Sequence, residues 1–77
     1  MSDSILEIDA RDLLCPMPIF KIDQAIMGVP LQGRVKLVAT DPGIERDLPA
    51  WCAINGHVLI DLARKGRIWT AIVEKGS

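Results

Sequence analysis

The sequence predicts an α/β fold: an α+β two-layer sandwich of order βαβαββ, with a mixed four-stranded sheet carrying two helices on one face. Three observations carry that expectation. Two alternating strands flank a helical stretch within about 35 residues, the pattern of a right-handed βαβ unit with parallel strands. Two further strands meet across a short turn containing a glycine. A chain of 77 residues with 49% hydrophobic side chains has apolar surface for one modest core and not for two, so residues 1–77 read as a single domain.

Ile5 to Ala10 alternates, with Leu6, Ile8 and Ala10 on one side and Glu7 and Asp9 on the other, the period of a half-buried strand. Arg11 to Leu14 is a connector, and a helix follows from Pro16 to about Met27. At 100° per residue Ile19, Ile22, Ala25 and Ile26 share one stripe, which packs on the sheet. Met17, Phe20, Gln24 and Met27 form a second stripe that begins beside Cys15. Phe20 and Met27 on it suit either contact with the other helix or a docking surface. Gly28 to Gly33 stops the helix, and Arg34 to Thr40 is the second strand, with Val35, Leu37 and Ala39 inward. Asp41-Pro42-Gly43 is a turn signal. Asp47 reads as the N-cap of a short helix opened by Leu48-Pro49 and closed at Gly56, with Leu48, Trp51 and Cys52 inward. Val58 to Ala63 and Ile68 to Glu74 are the last strands. Val58, Ile60, Leu62, Trp69, Ala71 and Val73 point to the core, and Val38, Leu59 and Ile72 stay on the open face, a patch too sparse to require a dimer. The chain is expected to be a monomer, with its loose ends at residues 1–4 and 75–77.

Composition excludes several functions. The net charge is −1 and the basic residues are scattered, so the electrostatic footprint of a nucleic-acid binder is missing. No run approaches the ~18–20 apolar residues of a membrane span. Two cysteines and one histidine make no zinc quartet, so no metal or cofactor is expected. The start of the chain lacks the basic and apolar regions of a signal peptide, which predicts a reducing cytoplasm and free thiols.

Chemistry is expected at Leu14-Cys15-Pro16-Met17-Pro18, where a strand meets a helix. Pro16 and Pro18 both fall where a helix start tolerates a missing N–H, which leaves Cys15 at the N-cap. A thiolate there would accept backbone N–H bonds and meet the positive end of the helix dipole, so a lowered thiol pKa is expected. A small apolar residue at a junction is the other reading of Cys15, and the motif alone leaves both open. Parallel strands would bring Asp41 to the same sheet edge as Cys15. Cys52 reads as core, and His57, at the opposite edge, as structural.

Asp9-Ala10-Arg11, the CPxP element with Lys21 beyond it, Thr40-Asp41-Pro42-Gly43, Asp47, Trp51-Cys52 and Gly56-His57 together resemble the TusA/SirA-like family of small sulfur carriers. The resemblance implies a two-layer sandwich whose CPxP cysteine takes sulfane sulfur from a cysteine desulfurase or rhodanese-type donor and passes it to a downstream acceptor protein. Routes of that kind include tRNA thiolation, cofactor assembly and sulfur oxidation. Carried over, Cys15 is the persulfide site, and Pro16, Pro18 and Asp41 shape it. Arg11, Met17, Phe20, Lys21 and Arg46 are the candidates for partner contact. One departure stands out: Asp12 occupies a position where family members commonly have glycine, which places a negative charge in the connector and points to a raised Cys15 pKa or altered partner choice. Two other readings remain from the sequence, a regulatory interaction module with a structural Cys15 and a thiol redox protein using Cys52.

Overall fold

The computed structural model describes residues 5–77, so residues 1–4, expected to be a loose end, lie outside the described part. Six elements follow in the expected order: β1 (Leu6–Ala10), α1 (Met17–Ile26), β2 (Arg34–Ala39), α2 (Ile44–Asn55), β3 (Val58–Lys65) and β4 (Ile68–Glu74). Strand order in the sheet is β1-β2-β4-β3, with β1 parallel to β2 and β4 antiparallel to both its neighbours. β1 and β3 are therefore the edges.

Alternation decides which face is covered. Ile8 and Ala10, then Val35, Leu37 and Ala39, then Trp69, Ala71 and Val73 are all buried on one face. Ile22 and Ile26 of α1 and Ile44, Leu48, Trp51 and Cys52 of α2 close over them in one cluster. Each such aliphatic side chain contributes about 1.5–3 kcal/mol when removed from water. Leu6 leads the same row but is half exposed, because it opens an edge strand with no neighbour beyond it.

Four expectations are corrected. First, α2 starts at Ile44 rather than after Asp47. The Asp41-Pro42-Gly43 turn runs directly into helix, with the Ile44 and Glu45 N–H groups donating to the Asp41 and Pro42 carbonyls at 3.1 and 3.2 Å. Ile44, Leu48, Trp51 and Cys52 then fall at i, i+4, i+7 and i+8, so the buried stripe pulls in one more turn and leaves Pro49 inside the helix. Second, β3 changes phase. The register passes from Leu59↔Val73 to Asp61↔Ile72, which makes Ile60 the extra residue of a bulge. Leu59 and Leu62 consequently pack toward the core, while Val58 and Ile60, expected inside, are exposed.

Third, residues 75–77 are tied down. Lys75 Nζ donates to the Val29 carbonyl at 2.8 Å, and Ser77 Oγ donates to the Asn55 carbonyl at 2.7 Å. Fourth, of the two readings of Phe20 and Met27, contact with the other helix gives way to exposure: they are 57% and 71% exposed. Gly56 and His57 take the places expected of them: Gly56 closes α2 at φ 76°, and His57 Nδ1 accepts the Gly76 N–H at 3.2 Å, away from Cys15.

Candidate functional site

The parallel pairing of β1 and β2 brings their carboxyl ends to one edge of the sheet, where two hydrogen bonds join the β1–α1 connector to the segment after β2. The Asp12 N–H donates to Thr40 Oγ1 at 2.9 Å, and the Cys15 N–H donates to Asp41 Oδ2 at 2.8 Å. Asp41, expected here from topology alone, thus holds the residue that carries the thiol. Gly43 lies under the same group: a Cβ there would stand 3.3 Å from Cys15 Sγ and 3.2 Å from Asp41 Oδ2. Glycine is needed at this point for close approach, since its φ of −59° is open to any residue.

Cys15 is not the N-cap of α1. Pro16 takes that position with φ −93° and ψ 12°, outside the helical well, and no side chain caps the helix. Pro18, buried, sits at the second helical position, where its missing N–H costs nothing. The thiol is half buried, and its pKa moves opposite to the direction expected. Burial pushes Cys15 up to about 12, and the Asp41 and Asp47 carboxylates beside it act in the same sense by favouring the proton and opposing a second negative charge. Asp41 is correspondingly held below the usual carboxylate range by the Cys15 thiol and by the Cys15 and Gly43 N–H groups. The resting group is therefore a thiol. Sequence marks Asp47 only as a helix cap; with α2 starting four residues earlier, it lies in the first turn and its carboxylate acts on Cys15.

Asp12 adopts φ 65°, a left-handed conformation that favours glycine, and its carboxylate accepts from Arg67 Nη2 at 3.0 Å. Its charge is engaged in that exposed pair, and the groups acting on the thiol are Asp41 and Asp47. Replacing Asp12 by Gly should relieve the backbone and lose an ion pair of small weight, for a net gain of roughly 0.5–1 kcal/mol in a urea titration.

The partner candidates divide in two. Arg11 is committed to Asp9, through Nε at 2.9 Å and Nη2 at 3.0 Å, and this contact lowers the Asp9 pKa to about 2. Lys21 Nζ donates to the Asp9 carbonyl at 3.2 Å. These two cations brace the end of β1. Met17 and Phe20, by contrast, are 47% and 57% exposed, and so is Leu14, the residue before the thiol in the chain, at 74%. Leu14 belongs to the stretch read as the chemical site, but it is apolar in a connector with no periodicity, so sequence reasoning does not place it among the partner contacts. Arg46 is exposed on α2, 3.7 Å from Asp47. Cys52 is buried in the core, where burial raises its pKa to about 11. Among the described residues no group of three potential ligands gathers around a metal position, and no helix is long and apolar enough to cross a membrane.

Fold and site together define a two-layer α/β sandwich that presents one thiol at a strand-to-helix junction beside an exposed apolar strip. The family model described as Sulfurtransferase TusA matches residues 6–75. The chain is 34% identical over 70 residues to Sulfur carrier protein TusA of Pseudomonas fluorescens (strain SBW25), spanning 91% of this chain and 84% of that protein. It is 41% identical over 54 residues to the protein of the same name from Pseudomonas syringae pv. syringae (strain B728a), spanning 70% of this chain and 64% of that one. The chain belongs to the TusA family.

Proposed function

We propose that this protein is a sulfur carrier that takes sulfane sulfur onto Cys15 as a persulfide and relays it to an acceptor protein. The carrying observation is a half-buried thiol, anchored by its own amide, at the end of a strip of exposed apolar side chains on which another protein can sit. In the loading step the Cys15 thiolate attacks the outer sulfur of a donor persulfide. A bond forms between Sγ and that sulfur, the donor S–S bond breaks, and its electron pair leaves on the donor's inner sulfur as a thiolate. The sulfane sulfur keeps its oxidation state, so the exchange consumes no oxidant or reductant. Delivery repeats the step with an acceptor thiolate as the attacking group. The donor is a cysteine desulfurase or a rhodanese-type protein, and the acceptor serves a route such as tRNA thiolation, cofactor assembly or sulfur oxidation.

Mass spectrometry after incubation with a cysteine desulfurase and cysteine tests the proposal. The expected product carries one added sulfur, on the peptide containing Cys15; an unmodified Cys15 under those conditions refutes it. The raised thiol pKa favours a second reading, an interaction module in which Cys15 stays a thiol, and an unmodified protein that still captures its partners would select that reading.

The apolar strip gives its own prediction. Phe20→Asp places a charge where more than half of the ring already meets water, so the fold should hold while donor docking weakens. Loading by the desulfurase should slow roughly tenfold or more at fixed carrier concentration. An unchanged rate would show that the strip is not where the donor sits.

A further inference from the structure

Loading requires a thiolate, yet the immediate surroundings of Cys15 hold its proton in place. Asp41 Oδ2 accepts the Cys15 N–H at 2.8 Å, and Oδ2 and the Cys15 sulfur both lie over Gly43, 3.2 and 3.3 Å from where a Cβ there would stand. The charged groups of the connector, the turn and the start of α2 can be placed, with Glu45 exposed in the first turn of α2. Asp41 comes from the turn before α2, and Asp47 from its first turn, with Arg46 3.7 Å from it and 89% exposed. From the connector, Asp12 is paired with Arg67, and Arg11 is paired with Asp9. Lys21 is bonded to the Asp9 carbonyl. Among the described residues Asp41 has no cation within ion-pair distance, so its charge is balanced only by N–H groups and the thiol itself.

We propose, on the basis of the carrier reading above, that Asp41 is a positioning residue that guards Cys15: it fixes the thiol over Gly43 and makes sulfur exchange wait for a partner that brings a basic side chain to its carboxylate. A guanidinium or ammonium group within about 4–6 Å of Asp41 offsets the repulsion between the carboxylate and a forming thiolate, which favours loss of the proton. The carrier is then unreactive toward small electrophiles in solution and becomes reactive in the complex. Charge complementarity selects the partner: a protein surface that pairs an apolar patch for Leu14, Met17 and Phe20 with a cation for Asp41.

Asp41→Asn tests this, because the amide oxygen still accepts the Cys15 N–H while the charge is gone. Two measurements are read, with a thermal melt to confirm folding. In the isolated protein, the pH midpoint for iodoacetamide alkylation of Cys15 should fall, with alkylation at neutral pH rising about tenfold for each unit of that fall. In loading by a cysteine desulfurase, the carrier concentration for half-maximal rate should rise roughly three- to tenfold, while the maximal rate does not fall. Asp47→Asn, which leaves the Cys15 amide bond untouched, should lower the alkylation midpoint as well. An alkylation midpoint unmoved in Asp41→Asn overturns the guard, and an unchanged half-saturation overturns the partner's cation. A wild-type protein that never gains sulfur removes the carrier reading instead, and leaves the alkylation midpoint to judge Asp41 alone.

Discussion

Cys15→Ser should abolish sulfur uptake while leaving the fold intact. Serine differs from cysteine by one atom, and the half-buried site keeps its anchor, because the amide bond to Asp41 does not depend on sulfur and the smaller oxygen fits over Gly43 where sulfur does. A hydroxyl beside the Asp41 carboxylate also donates a better hydrogen bond than a thiol. Stability measured in urea should therefore stay within about 0.5 kcal/mol of the parent. Uptake should drop to background, since an alkoxide is not formed near neutral pH and an oxygen cannot hold a sulfane sulfur as a persulfide. Cys52→Ser is the necessary comparison. Its side chain is enclosed in the core, so a hydroxyl there should cost about 1–3 kcal/mol and leave sulfur uptake at the parental level wherever the protein is folded. If instead Cys52→Ser lost uptake and Cys15→Ser kept it, the roles of the two thiols would be reversed.

How far the sequence discloses this molecule depends on the range of the interactions involved. The alternation of Ile8 and Ala10 and of Val35, Leu37 and Ala39 is written in consecutive residues, and the parallel pairing it implies carries Asp41 to Cys15 across 26 positions. That juxtaposition needs only topology. The sign of the Cys15 shift needs more, because helix-terminus reasoning is local and the groups that decide the matter come from elsewhere. Pro16 adopts dihedrals that displace the helix start by one residue, and Asp47, which acts on the thiol, lies in the first turn of an α2 that begins at Ile44. The bulge at Ile60 is equally hidden. Val58, Ile60 and Leu62 alternate without fault, and only pairing with β4 shows that one residue has no partner. Asp12 is hidden in the same way, since a positive φ leaves no mark on an aspartate in the sequence.

The same helix carries the second large effect. Ile22→Ala should destabilise the domain by about 2–5 kcal/mol, the range for truncating a fully enclosed aliphatic side chain. Ile22 has no exposed surface and belongs to the core cluster that joins α1 to the sheet and α2, so the space it fills closes only if α1 moves. Against a total of roughly 4–12 kcal/mol for a chain of this length, that loss is between a large fraction and all of the stability. The urea midpoint should fall accordingly, and Ile22→Val, which removes one methyl group, should cost only about 0.5–1.5 kcal/mol. The consequence for chemistry is indirect but measurable. α1 carries Pro18 and the strip beginning at Met17, and its seating on the sheet holds Cys15 against Asp41 and Gly43. Loosening it should therefore expose the thiol, so that Ile22→Ala is alkylated faster than the parent in proportion to its unfolded population, and reaches the parental rate again only under conditions that restore the fold. Two residues earlier on the helix, Phe20→Asp should do the opposite, sparing stability and alkylation while slowing transfer from the donor. A domain in which both substitutions unfolded the protein, or neither did, would not have the sheet-facing and partner-facing sides assigned to α1.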